Sequence, residues 1–226
     1  MSLQGAVIAF DLDGTLVDTA RDLIGSVNAV LVQERLTPVP VDAGRRLIGH
    51  GVSALVQRAF AEQGVRLEGP ALSDMVDRFT DVYQGRIAQE SRPYPGVPAA
   101  LDRLAAAGAT LAVCTNKRTA LSVALLEDLG LASRFAAIIG GDLVAQKPDP
   151  RLLHYTIEQA GGRGDRALFV GDSMVDHATA RAAGVPVVGV TFGYVDPPLK
   201  AEDFDALIDR FEELPGVADK LIGRAP

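Results

Sequence analysis

The chain has 226 residues, 48% of them hydrophobic, and a formal net charge of −7; that length supports one sizeable core, or one core plus a small second one. The acidic balance gives no overall attraction for nucleic acid or an anionic membrane, and no apolar run approaches the roughly 20 residues that span a bilayer. The single cysteine, Cys114, excludes an internal disulfide and a cysteine-built zinc site, and with no export signal visible the expectation is a cytoplasmic protein, monomer or homodimer, without nucleic-acid or membrane partners.

The first apolar run, 6–10 (AVIAF), reads as a buried strand that ends on Asp11 and Asp13. From 17 to 92 no strand is predicted. Helical spacing covers 19–35, 41–47, 52–63 and 71–89, broken by Pro38, Pro40, Gly64 and Gly69 with Pro70. After the turn-rich RPYPGVP at 92–98, strands are predicted at 110–114, 136–139, 167–170 and 187–190. Helices are predicted at 97–107, 118–129, 150–160 and 174–183. Strands apolar throughout and joined by helices predict a parallel sheet covered on both faces. Asp149 before Pro150 opens one helix, Gly161 and Gly162 close it, and Gly184 closes the next. The expected organisation is an α/β core in two pieces, 1–16 and 93–226, interrupted by a helical insertion, 17–92.

Ligands of open parallel sheets collect at the carboxyl ends of the strands. Asp11 and Asp13 follow the first strand here, Thr115 to Lys117 the second, Asp142 and then Lys147 the third, and Asp172 and Asp176 the fourth. Each has a plain structural reading. Asp13 before Gly14 suits a turn, Thr115 a helix cap, Lys147 a solvated surface, and Ser173 with Asp176 a capping box. Together they put several acids and a lysine on one edge, where desolvated carboxylates lack partners. A hard divalent cation with oxygen ligands resolves that crowding, and magnesium typically binds through one or two carboxylates plus a phosphate.

The stretches FDLDGTLVDT (10–19), VCTNK (113–117), GGDLVAQKPDP (140–150) and VGDSMVDHATARAAGVPVVGVTFGY (170–194) resemble the haloacid dehalogenase superfamily of phosphohydrolases. Together with LIGHGVSALVQRAF (47–60), they are most similar to its phosphoglycolate phosphatase branch. The resemblance implies a Rossmann-like three-layer core with strand order 3-2-1-4-5 and an α-helical cap after the first strand. It implies Asp11 as nucleophile, through an aspartyl-phosphate, and Asp13 as acid and base. Mg²⁺ would be held by Asp11, the Asp13 carbonyl and Asp172, with Asp176 beside the ion or holding Lys147. Thr115 and the main chain of Leu12, Asp13 and Asn116 would grip the phosphoryl group, and Lys147 would neutralise it.

The expected substrate is a small phosphomonoester, 2-phosphoglycolate first. Sugar phosphates, nucleotides, pyrophosphate, a sugar phosphomutase reaction and a catalytically silent binding module are the alternatives. In the insertion, Gly49 and Gly51 would let backbone approach an anionic tail, and Arg45 and His50 are the candidate side chains there.

Overall fold

The apolar run at 6–10 supplies the central strand β1 (Val7–Phe10) of the computed structural model, which describes residues 2–194 and 198–222. It pairs in parallel with β4 (Thr110–Thr115) on one side and β6 (Ala167–Gly171) on the other. β5 (Ala137–Gly140) lies beyond β4, and β7 (Val187–Val190) then β8 (Ala206–Ile208) lie beyond β6. The order β5-β4-β1-β6-β7-β8 contains the expected 3-2-1-4-5 arrangement and adds a sixth strand at one edge.

Alternate residues of these strands feed two separate cores. Ile8, Phe10, Leu111, Val113, Leu168 and Val170 face one way. They pack with α5 (Val97–Ala106), α6 (Thr119–Asp128) and α9 (Leu214–Ile222). Val7, Ala9, Ala112, Cys114 and Phe169 face the other way, onto α7 (Pro150–Gln159) and α8 (Met174–Ala183). This period of two, with both faces buried, makes the strands read as unbroken apolar runs. Each fully buried large side chain contributes about 1.5–3 kcal/mol relative to exposure. Cys114 is part of this packing: burial pushes its thiol up to about 12, so it behaves as a small hydrophobe.

The insertion leaves and returns through a two-stranded ribbon, β2 (Val17–Asp18) against β3 (Arg92–Pro93). Between them lie α1 (Ala20–Gln33), α2 (Val41–Gly44), α3 (Val52–Ala61) and α4 (Gly69–Gln84). The helix expected at 41–47 splits into α2 and a 3₁₀ turn, Arg45–Leu47. The fully buried Asp22 of α1 accepts from Glu90 N (2.9 Å), Ser91 N (2.8 Å) and Ser91 Oγ (2.7 Å), tying the two connecting strips together. The helices bury Val27, Val56, Phe60 and Phe79 in the same cluster that covers the first face of the sheet. No helix among the described residues is long and apolar enough to cross a membrane.

Candidate active site

Strand β1 ends at Phe10, so the next residues pass onto the carboxyl edge of the sheet. Asp11 and Asp13 arrive there, together with Thr115 from β4, Asp172 from the turn after β6 and Asp176 from the first turn of α8. Carboxylate oxygens of Asp11, Asp172 and Asp176 lie within 4.8 Å of one another, and all three side chains are buried. Lys147 Nζ sits between two of them, 2.8 Å from Asp11 Oδ1 and 2.6 Å from Asp176 Oδ1. Burial works against its ammonium, and Asp11 and Asp176 more than offset this, so its pKa is raised.

Local sequence explains how the groups are held. Ser173 caps α8 by accepting from Asp176 N, and Asp176 Oδ2 accepts from Ser173 N and Oγ. The capping box and the Lys147 contact therefore use one carboxylate. Asn116 Oδ1 accepts from Lys147 N (2.7 Å) and its amide donates to Lys147 O (3.2 Å), so this side chain sets the loop that presents the lysine. Asp172 accepts from Thr15 Oγ1 (3.2 Å) and Tyr194 N (2.8 Å). Gly14 and Gly193 line its cradle: a Cβ would come within 2.4 Å and 2.2 Å of the Asp172 side chain.

Three carboxylates share one ammonium, and the imbalance appears in the proton affinities of Asp11 and Asp172. Burial, then Asp176 and Asp13, push Asp11 up to about 6 despite Lys147. Burial, then Asp176 and Asp11, push Asp172 up to about 8. Asp11 Oδ1 is buried and accepts no aligned hydrogen bond, although it is in ion-pair contact with Lys147. An all-oxygen, buried, negatively charged set of this kind suits a hard divalent cation.

A stability prediction follows. Acids whose folded values lie above the unfolded one bind extra protons in the native state. The metal-free protein is therefore expected to lose stability as pH rises from about 4, the unfolded value, through about 8, the higher folded value. A divalent cation at a hundredfold excess over its Kd adds about 2.7 kcal/mol, roughly 5–10 °C for a chain of this size. Thermal melts with chelator or Mg²⁺ at acid and alkaline pH check this. A cation effect that does not grow with pH contradicts it.

A cavity of about 30 Å³ lies over Asp11 and Asp13, walled by Thr115, Asn116 and Lys117 of the core and by Leu23, Ile48, Gly49, Gly51, Val52 and Leu55 of the insertion. Leu12 is fully buried, and its carbonyl accepts from the main chain of Thr15, Leu16 and Val17, which fixes the turn carrying Asp13. Thr115 does not cap α6, whose N-cap is Arg118; its Oγ1 accepts from Lys117 N instead.

The two candidates of the insertion lie off this cavity. Arg45 Nη2 donates to Asp18 Oδ2 (3.0 Å), and the guanidinium stands 5.4 Å from the ring centroid of Tyr194. His50 lines a neighbouring cavity of about 250 Å³ with Arg118 and Gln146. Burial, then Arg58, hold its pKa below the usual value, so near pH 7 it brings a hydrogen bond but no charge.

Two residues given no role from the sequence are prominent. Lys117 is buried with its Nζ 3.1 Å from Asp13 Oδ1. The Tyr194 hydroxyl accepts from Thr19 N (2.6 Å) and Ala20 N (3.0 Å) and donates to Asp18 Oδ1 (2.9 Å), capping α1 from across the molecule. Thr19 is the N-cap residue of α1, but its hydroxyl makes no cap bond and donates instead to Asp13 Oδ1 (2.7 Å). Both Lys117 and Tyr194 stand in the quoted stretches, but only the fold shows what they touch.

A parallel sheet with paired acids, a hydroxyl and a lysine on its carboxyl edge, roofed by helices inserted after the first strand, defines a phosphohydrolase class. The family model for haloacid dehalogenase-like hydrolases matches residues 8–190, and the chain belongs to that family. It is 48% identical over 225 residues to the phosphoglycolate phosphatase of Caulobacter vibrioides, covering 99% of this chain and 95% of the relative. It is 47% identical over 217 residues to that of Agrobacterium fabrum, covering 95% and 93%. A crystal structure described as a predicted phosphoglycolate phosphatase from Haemophilus somnus superposes with a TM-score of 0.87 at 33% identity, covering 96% of this chain and 99% of the other. The protein is a phosphatase.

Proposed function

We propose that the protein hydrolyses 2-phosphoglycolate through an aspartyl-phosphate on Asp11, with Mg²⁺ as cofactor. The observation that carries the substrate is the 48% identity, over 99% of the chain, to a phosphoglycolate phosphatase. The cavity supports it, because Ile48, Gly49 and Val52 of the insertion line it together with Asp11 and Asp13 and favour a compact leaving group.

Asp11, the Asp13 carbonyl and Asp172 would hold the ion, which supplies charge neutralisation for the phosphoryl oxygens. Asp176 keeps Lys147 and the start of α8 in place, since both its oxygens already accept from them. The Asp11 carboxylate attacks phosphorus as the ester bond breaks, and Asp13 gives its proton to the leaving alkoxide. Asp13 then takes a proton from the attacking water as the bond between phosphorus and Asp11 breaks. Thr115 and the main chain around Leu12 and Asn116 grip the phosphoryl oxygens, and Lys147 offsets their charge. The substrate carboxylate meets the start of α3, where first-turn N–H groups lack helical partners and Gly51 and Val52 form the wall. His50 contributes a neutral contact at its edge, while Arg45 serves the Asp18 junction.

The test is phosphate release from phosphoglycolate, a sugar phosphate, a nucleotide and pyrophosphate, with Mg²⁺ and after chelation. Phosphoglycolate is expected to give the highest kcat/KM, and chelation to remove at least ~10²-fold of it. Activity that survives exhaustive chelation sinks the cofactor. A clear preference for a sugar phosphate sinks the substrate.

A further inference from the structure

Two buried lysines reach the site, and each serves a different acid. Lys147 is spent on Asp11 and Asp176. Lys117 stands two residues beyond the end of β4, and its side chain is 2% exposed. Its Nζ lies 3.1 Å and 3.3 Å from the two carboxylate oxygens of Asp13. Thr19 Oγ1 donates to the same Oδ1 at 2.7 Å. A carboxylate on a turn after a strand can otherwise rotate about both side-chain torsions. Donors on both oxygens remove that freedom, and an acid held in one orientation is what proton transfer to a leaving group needs.

The lysine itself is held from the insertion. Its Nζ lies 4.5 Å from the ring centroid of Tyr83, within the range of a cation–π contact. Tyr83 belongs to α4, is fully buried, and packs against Phe79 with ring centroids 5.7 Å apart. The chain of contacts runs from a helix of the insertion, through a core lysine, to the acid at the reaction centre. Moving the insertion away removes the ring from Lys117 and exposes the ammonium to water, which weakens its hold on Asp13.

We infer that Lys117 is a positioning residue that aims Asp13 at the leaving oxygen, and that Tyr83 makes this alignment depend on the insertion being seated. The inference rests on the reading of Asp13 as the acid and base. Lys117 need not touch substrate for it to hold. An acid aimed this way matters most when the leaving alcohol is a poor one, and least when the leaving group departs without a proton.

The experiment measures kcat/KM with saturating Mg²⁺ over phosphomonoesters from 4-nitrophenyl phosphate to alkyl phosphates including phosphoglycolate. The wild type is compared with Lys117→Met, Tyr83→Leu and Asp13→Asn. K117M is expected to lose about 10–10²-fold on the alkyl esters and only a few-fold on the nitrophenyl ester. Y83L should show the same trend at smaller size. D13N should show the steepest dependence, up to about 10²–10⁴-fold on alkyl esters. A loss from K117M that is equal across the series, or no loss, overturns the inference, because a merely structural lysine has no reason to follow leaving-group strength. If K117M does not fold, Y83L decides: a graded loss supports the inference, and a uniform loss or none overturns it. A flat profile for D13N instead overturns the acid and base reading beneath it.

Discussion

Asp11→Asn is expected to lower turnover by at least ~10⁴-fold, because it removes the attacking charge and leaves only binding and electrostatic background. The change is nearly isosteric, so the fold should persist. Its effect on stability is the more discriminating part. Asp11 is buried beside Asp176 and Asp172, and burial with its neighbours pushes its pKa to about 6. Above that pH the native wild type carries an extra buried charge that the amide lacks. Metal-free D11N should therefore melt above the metal-free wild type at about pH 8, with the gap closing towards pH 5. Mg²⁺ should narrow or reverse the order, since the wild type offers one more anionic ligand. Beryllium fluoride should form an adduct in the wild type, visible by fluorine NMR, and none in D11N. An adduct that persists in D11N places the nucleophile elsewhere. A metal-free D11N less stable than the wild type at alkaline pH contradicts the crowding of charge at the strand ends.

Stability and activity pull apart here for a physical reason. Hydration favours keeping three carboxylates separate, and the sheet holds them together because the segments that follow two neighbouring strands, β1 and β6, meet at one edge. On the proposed mechanism, the same crowding that costs the metal-free protein stability would supply the place for a cation and a reactive oxygen.

The main strands were legible because β1, β4, β6 and β7 are buried on both faces, which leaves unbroken apolar runs such as VIAF and VVGV. β8 was not legible. Its three residues, Ala206–Ile208, lie between Asp205 and Asp209 and are too short to show a period. α9 carries Pro215 and Gly216 in its first turn, which reads as a loop. β2 and β3 contribute two residues each and exist through pairing between distant parts of the chain, Asp18 with Arg92. At the site, Asp11, Asp13, Lys147, Asp172 and Asp176 stand in or near turns after strands, so position alone marked them. The partners of Lys117, Tyr194 and Arg45 are fixed by packing of the insertion on the core. Arg45 looked free to meet a substrate because nothing local to it announces Asp18.

Lys147→Met should damage both stability and turnover. The ammonium is 1% exposed, lies between Asp11 and Asp176, and stands 5.5 Å from the ring centroid of Phe169. Methionine fills similar space with no charge, so the packing against Phe169 survives while Asp11 and Asp176 lose the buried ammonium that both contact. Removing one partner of a buried pair costs about 3–5 kcal/mol, because the other is left desolvated and unpaired. That is a large part of a typical domain's stability of about 5–15 kcal/mol. The loss should be greatest at alkaline pH, where Asp11 and Asp172 are both ionised, and smallest near pH 5, where Asp11 is largely protonated. Mg²⁺ should return part of the melting temperature by supplying positive charge to Asp11 and Asp172. It should not return activity, since the ion would be held by Asp11 and Asp172, whereas Lys147 is held against Asp176 and by the Asn116 side chain. Turnover should stay about 10³-fold or more below the wild type even with saturating metal. Melts and phosphate release on the same preparation, with and without Mg²⁺, separate the two effects. Recovery of both together would mean that Lys147 contributes charge to the cluster and nothing specific to the transferring phosphoryl group.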